Sequence, residues 1–167
     1  MMARESLPDL NGKRIVVVED DYLLATDICR NLRDLGATVL GPAPTPFYAM
    51  HLIGSKKVDA AVLDVRLHGT TVFEVADVLQ DQGVPFLFAT AFERKALPER
   101  FQHVPILEKP LDRQKLLAEV YSLIRHPAVP VDRVPRQSPI PVIPEAPLRA
   151  FARALARGLQ RHQLGRR

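Results

Sequence analysis

Five residues in this 167-residue chain are of types that do chemistry when brought together: Glu19, Asp20, Asp64, Thr90 and Lys109. Glu19 and Asp20, with Asp21 behind them, follow the apolar run Ile15 to Val18. Asp64 follows Ala60 to Leu63, Thr90 follows Phe86 to Ala89, and Lys109 follows shortly after Ile106 and Leu107. Carboxylates gathered at one place repel each other and raise one another's pKa unless a cation neutralises them. An all-oxygen donor set suits Mg²⁺, which takes few protein carboxylates and keeps several waters. A cation, a lysine and a threonine hydroxyl together suit a dianionic phosphoryl group, since each answers one of its oxygens. Asp64 is then the candidate nucleophile, and an already ionised carboxylate needs positioning rather than a general base.

That chemistry requires the four apolar runs to end at a common edge. Candidate strands are Ile15 to Val18, Thr38 to Leu40, Ala60 to Leu63, Phe86 to Ala89 and Ile106 to Leu107. Candidate helices between them run from Asp21 to Leu35, Thr45 to Ser55, Thr71 to Gln82, a short Glu93 to Arg100 interrupted by Pro98, and Asp112 to Arg125. Near-continuous apolar strands imply burial on both faces, hence a parallel sheet clothed by helices. The expected architecture is a five-stranded, doubly wound α/β sandwich of flavodoxin-like form. In such sheets a ligand site lies at the carboxyl ends of the strands.

Charge divides the chain. Residues 1 to 124 hold 14 Lys and Arg against 17 Asp and Glu, whereas residues 125 to 167 hold 9 Arg against 2 acids. An acidic domain therefore precedes a basic tail. Prolines at 127, 130, 135, 139, 141, 144 and 147 mark residues 126–147 as an extended linker. Over 148–164 a helical period returns, with Leu148, Phe151, Ala152, Leu155 and Leu159 on one face and Arg149, Arg153, Arg157 and Arg161 on another. This basic stretch reads either as a solvated tail or as a helix that binds an acidic partner, the acidic domain itself, membrane headgroups or nucleic acid. It is too short for an ordinary DNA-binding output domain.

The single cysteine, Cys29, excludes an intrachain disulfide. The five histidines show no metal-ligand spacing. No apolar run of membrane-spanning length and no signal peptide stand at the N-terminus, so a cytoplasmic location is expected. Neither G-x-G-x-x-G nor G-x-x-x-x-G-K-[ST] occurs, which argues against a dinucleotide or P-loop site.

The ordered set VVVEDD, LDVRL, FATAF and EKP, with Asp64 44 positions after Asp20, resembles the receiver domains of two-component response regulators across residues 12–125. The FLFATAF run also resembles a stand-alone subgroup with a Phe-Ala-Thr signature, although Ala91 and Phe92 stand where a glycine and an aromatic are usual. The resemblance implies that Glu19 and Asp20 bind Mg²⁺ with Asp64, that the Arg66 carbonyl completes the protein ligands, and that Asp64 accepts a phosphoryl group from a histidine kinase or phosphotransfer protein. It further implies that Thr90 hydrogen-bonds the phosphoryl oxygen, that Lys109 pairs with it, and that the Lys109-Pro110 bond is cis. The output would be altered binding to a downstream protein rather than turnover of a substrate.

Two positions depart from the family pattern. Ile106 occupies the place of an aromatic that moves on activation, which leaves open a pseudo-receiver that binds without phosphorylation. The stretch from Thr90 to Lys109 spans 19 positions with Pro98 and Pro105 in it, so its helix is expected to be cut short. Arg66 either restricts water near Asp64 or points to solvent. Arg66 also stands where a Mg²⁺-dependent Asp-nucleophile phosphatase of the haloacid dehalogenase type would carry a second Asp.

Overall fold

A computed structural model describes residues 8–127 and Arg153. Five strands, β1 (Arg14–Val18), β2 (Thr38–Ala43), β3 (Ala60–Leu63), β6 (Phe86–Thr90) and β7 (Ile106–Glu108), form one parallel sheet in the order β2-β1-β3-β6-β7. Helices α1 (Tyr22–Asp34), α2 (Pro46–Ser55), α3 (Phe73–Asp81) and α4 (Arg113–Arg125) connect or follow them. The expected doubly wound sandwich is present. Strand order reverses at β1, so a crevice forms where β1 and β3 end side by side.

Alternation along β1 places Ile15 and Val17 on one side and Val16 and Val18 on the other. The first side packs Ile28, Leu32, Val62, Leu87, Leu116 and Val120 beneath α1 and α4. The second packs Ile53, Leu63, Val75, Leu79, Phe88 and Phe101 beneath α2 and α3. Each such buried side chain contributes about 1.5–3 kcal/mol of transfer free energy, which drives both layers onto the sheet. Helix starts are fixed by caps: Asp21 accepts the Leu24 N–H at 2.9 Å and Asp112 the Lys115 N–H at 2.9 Å. At Gly36, φ is 90° and a Cβ would collide with Asn11 Oδ1, so only glycine can end the α1 turn this way.

Three details differ from the sequence-based expectation. First, β2 continues past Leu40 to Ala43, with the Gly41-Pro42 bond cis and Gly41 at φ 106°; a Cβ there would lie 2.8 Å from Val17 O. Second, Thr71 does not open a helix. Residues Arg66–Leu67 (β4) and Thr70–Thr71 (β5) form an antiparallel hairpin, and α3 starts at Phe73.

Third, no helix runs from Glu93 to Arg100. Two 3-10 turns, Arg94–Ala96 and Glu99–Phe101, replace it, because Leu97 and Pro98 are extended and proline disfavours helix in the residue before it. Side chains of this segment add hydrogen bonds to its carbonyls. Arg94 Nη1 donates to Gln102 O at 2.8 Å and Val104 O at 3.1 Å, while Gln102 Nε2 donates to Arg94 O at 2.8 Å and Leu97 O at 2.7 Å.

The Pro-rich stretch beyond Pro127 and the basic stretch 148–164 lie outside the described residues except for Arg153, which is helical and exposed. Among the described residues no helix is long and apolar enough to cross a membrane.

Candidate functional site

The carboxyl ends of β1 and β3 deliver Glu19, Asp20 and Asp64 to one place, where one oxygen from each lies within 4.8 Å of the others. Strand pairing sets this up: Glu19 N–H donates to Ala43 O at 3.0 Å and Asp64 N–H to Val18 O at 2.8 Å, extending the ladder into the acid residues. Glu19 is 1% exposed and Asp64 7%. Lys109, at the end of β7, reaches across to both. Its Nζ donates to Asp64 Oδ2 at 2.7 Å and lies 2.8 Å from Glu19 Oε2. The lysine thus pairs with both buried carboxylates at once.

Burial pushes the Glu19 carboxyl up to about 7, helped by the Asp64 charge and resisted by Lys109 and the Asp21 N–H, which donates to Oε1 at 3.0 Å. Burial also depresses the Lys109 ammonium, but the hydrogen bond to Asp64 and the proximity of Glu19 outweigh it and raise its pKa overall. At Asp20, burial is outweighed by the His68 N–H, with smaller help from Glu19 and the imidazole, so the carboxyl titrates below its ordinary value.

The β4–β5 hairpin explains that last contact. His68 sits at its turn with φ 45°, which aims its N–H at Asp20 Oδ2 at 2.9 Å and leaves Nδ1 3.7 Å from the same oxygen. Sequence reasoning does not assign His68 this role. The His-Gly pair inside Leu-His-Gly-Thr-Thr was the available sign of a tight turn.

Thr90 ends β6, is 2% exposed, and lines a cleft of about 420 Å³ with Asp64, Arg66, Ala91, Phe92, Glu93, Ala96 and Lys109. Its Oγ1 accepts the Phe92 N–H at 3.1 Å, and its carbonyl accepts the Lys109 N–H at 3.1 Å. The Lys109-Pro110 bond is cis, as expected from the Glu-Lys-Pro motif. Arg66 is exposed, and its Cζ lies 5.3 Å from the centre of the Phe92 ring. Asp21 is diverted to capping α1 and stays out of the acid cluster. Ile106 is half-buried beside the α2/α3 layer. All six candidate residues therefore meet at one end of the sheet, with three acids and a lysine on the floor and a cleft above.

No protein-family model matches the chain. The transcriptional regulatory protein TcrA of Mycobacterium tuberculosis is 34% identical over 128 residues, 72% of this chain and 49% of TcrA. The response regulator MprA of Mycobacterium ulcerans is 31% identical over 160 residues, 92% of this chain and 67% of MprA. The solution structure of SdrG from Sphingomonas melonis is 31% identical with a TM-score of 0.60, covering 68% of this chain and 96% of SdrG. SdrG has also been solved in a BeF3-activated conformation. The chain spans about half the length of the first curated relatives it matches. Strand order, the junction of acids and lysine, and these similarities agree: the chain belongs to the response regulators of two-component systems, and its α/β domain is a receiver.

Proposed function

We propose that this receiver takes a phosphoryl group onto Asp64 from a phosphohistidine of a histidine kinase or phosphotransfer protein, and signals through altered binding to a downstream protein. One observation carries the reading: a buried carboxylate held 2.7 Å from an ammonium, beside two further carboxylates, opens onto a cleft lined by a threonine. The donor set fits a hard divalent cation, because it is all oxygen and one oxygen from each of three carboxylates lies within 4.8 Å of the others. Glu19, Asp20, Asp64 and the Arg66 carbonyl would hold Mg²⁺. When bound there, the ion supplies the positive charge that lets an anionic donor approach three acids.

An Asp64 carboxylate oxygen attacks phosphorus. The O–P bond forms as the P–N bond to the donor imidazole breaks, and the electron pair returns to nitrogen. A carboxylate nucleophile forms this bond without a separate general base. Thr90 donates its hydroxyl proton to a phosphoryl oxygen, and Lys109 balances the added charge. Beyond this self-phosphorylation and a slow return to the free carboxylate, the domain turns over no substrate. Phosphorylation then shifts the population of conformations that bind the partner.

The Phe-Ala-Thr run at 88–90 supports placement in the subgroup bearing that signature, and the BeF3-activated SdrG structure supports a phosphoryl-dependent response. We assign 12–125 to the receiver, 126–147 to a linker and 148–164 to a basic segment for an acidic partner, in a cytoplasmic protein.

Incubation with acetyl phosphate and Mg²⁺ followed by intact-mass measurement tests the assignment. Wild type should gain one phosphoryl group and Asp64→Asn none; an adduct persisting in Asp64→Asn refutes the acceptor. Asp20→Asn should weaken Mg²⁺ binding, read directly by calorimetry. The aliphatic Ile106 favours a second reading, phosphorylation-independent binding, which predicts no adduct on wild type and the same captured partners with and without beryllofluoride.

A further inference from the structure

Helices α2 and α3 pack side by side on one layer of the sheet, and their outward surfaces differ in kind. α2 carries no Asp, Glu, Lys or Arg, and its Phe47 is 45% exposed. α3 carries Glu74, Asp77 and Asp81 and no Lys or Arg. Helical spacing sorts these side chains into flanks. On α3, Asp77 pairs with Arg100 at 2.8 Å and Gln80 donates to the Arg100 carbonyl, so that flank belongs to the segment 92–104. Glu74, Val78 and Asp81 make the stripe on the other flank, toward α2. On α2, Leu52 Cδ1 lies 3.6 Å from where a Gly41 Cβ would stand, so Leu52 faces β2, and Phe47, Met50 and Gly54 turn the other way, toward α3. An apolar strip bordered by an acidic row therefore follows the α2–α3 seam. Among the described residues neither Glu74 nor Asp81 has an ion-pair partner.

We infer that the segment 148–164 of this same chain docks on the α2–α3 seam, which names the acidic partner assigned to that segment above and rests on that assignment. The two surfaces are complementary in both components. Residues 148–164 hold four Arg and no acid, and their helical period sets Leu148, Phe151, Leu155 and Leu159 on one stripe with Arg149 and Arg153 at its border. Arg153 is helical and exposed. The apolar stripe answers Phe47, Met50 and Val78, while the bordering guanidinium groups answer Glu74 and Asp81.

Reach and concentration favour the chain's own segment over a separate molecule. α4 ends at Arg125 on the opposite layer, so the connection must pass round the sheet. Residues 126–147, at about 3.1 Å each when extended, span on the order of 60–70 Å, against a radius of gyration of about 13 Å for a domain of this size. A tether of that length holds the segment at roughly mM effective concentration, so a modest contact suffices. The other exposed large hydrophobic among the described residues, Leu23 at 64%, lacks such a setting. Its neighbours on the outer stripe of α1, Asp27 and Arg30, already pair with each other at 3.0 Å.

The test is amide exchange by mass spectrometry on the full chain: wild type, Phe47→Ser, Leu23→Ser, Arg149→Glu/Arg153→Glu, Glu74→Arg/Asp81→Arg and the fourfold charge swap combining the last two. A short helix exchanges freely unless something packs against it. At low salt, exchange over 148–159 in wild type should be slowed about tenfold, the occupancy that a roughly 0.1 mM intrinsic affinity gives at mM effective concentration. High salt should remove most of that protection. Phe47→Ser and either charge reversal should abolish it, and Leu23→Ser should leave it unchanged. The charge swap should restore it, which separates a lost contact from an unfolded α3. Protection that survives Phe47→Ser and both reversals puts the segment on another surface and overturns the seam. Protection that grows with protein concentration makes the occupant a second copy and overturns the intrachain contact. No protection at either salt also overturns the docking, and added poly-glutamate then separates the two readings: protection induced by it spares the acidic-partner assignment, whereas none removes both.

Discussion

The two faces of the sheet are built from different materials. Beneath α1 and α4 the buried fill is largely aliphatic and contains no phenylalanine: Ile15, Val17, Ile28, Leu32, Val62, Leu87, Leu116 and Val120. Beneath α2, α3 and the segment 92–104 it is rich in rings. Phe101 stacks on Phe73 at 5.6 Å and meets Phe88 at 5.9 Å and Phe86 at 6.3 Å. A helix satisfies its own backbone and needs only an apolar stripe to dock. Segment 92–104 makes just two 3-10 turns, so it needs an anchor and outside donors for its carbonyls. The Phe101 ring supplies the first, and Arg94 with Gln102 the second.

Three experiments would break or sharpen this contrast. One effect is kinetic and belongs to the aliphatic face. Cys29 is buried there and its thiol is pushed up to about 11 by burial, from an ordinary 9.0. At pH 8 a thiol reagent should react at least roughly 100-fold more slowly than with a free cysteine, from thiolate scarcity alone. Reaction at the free-thiol rate would show that α1 is not closed on the sheet.

On the aromatic face, Phe101→Ala removes a fully buried ring and should cost about 3–5 kcal/mol in denaturant unfolding. A loss under about 1 kcal/mol would mean the segment does not depend on that anchor.

The smallest effects compare the two ways of holding an end. Gln102→Ala deletes two hydrogen bonds to carbonyls and should cost about 1–2 kcal/mol, with faster amide exchange confined to residues 93–104. Asp112→Ala deletes the α4 cap and should cost about 1 kcal/mol, with exchange rising at the first turn of α4. Identical exchange patterns would erase the distinction between faces.

The same contrast decides what the sequence makes legible. Strands buried on both faces must be continuous apolar runs, so Val18, Leu63 and Ala89 mark where Glu19, Asp64 and Thr90 emerge; Asp64 and Thr90 line one cleft, and Glu19 joins Asp64 in the acid cluster. Helices α1 and α4 are readable from period and cap within a residue or two. The stretch Glu93 to Arg100 is not, because its order comes from reciprocal side-chain bonds eight positions apart and from the packing of the adjoining Phe101 ring onto one face of the sheet, neither of which leaves a periodic trace. His68 escapes for a related reason. Its contribution is a backbone N–H aimed by a left-handed turn, and an N–H carries no side-chain signature.

Lys109 is shared between two acids that sit on different strands, β1 through Glu19 and β3 through Asp64. One ammonium group thus meshes two neighbouring strand ends as a gear meshes two racks. Any covalent change that draws it toward Asp64 must slacken its hold on Glu19, so a modification on the third strand in the chain is registered at the first without any rearrangement of the sheet itself.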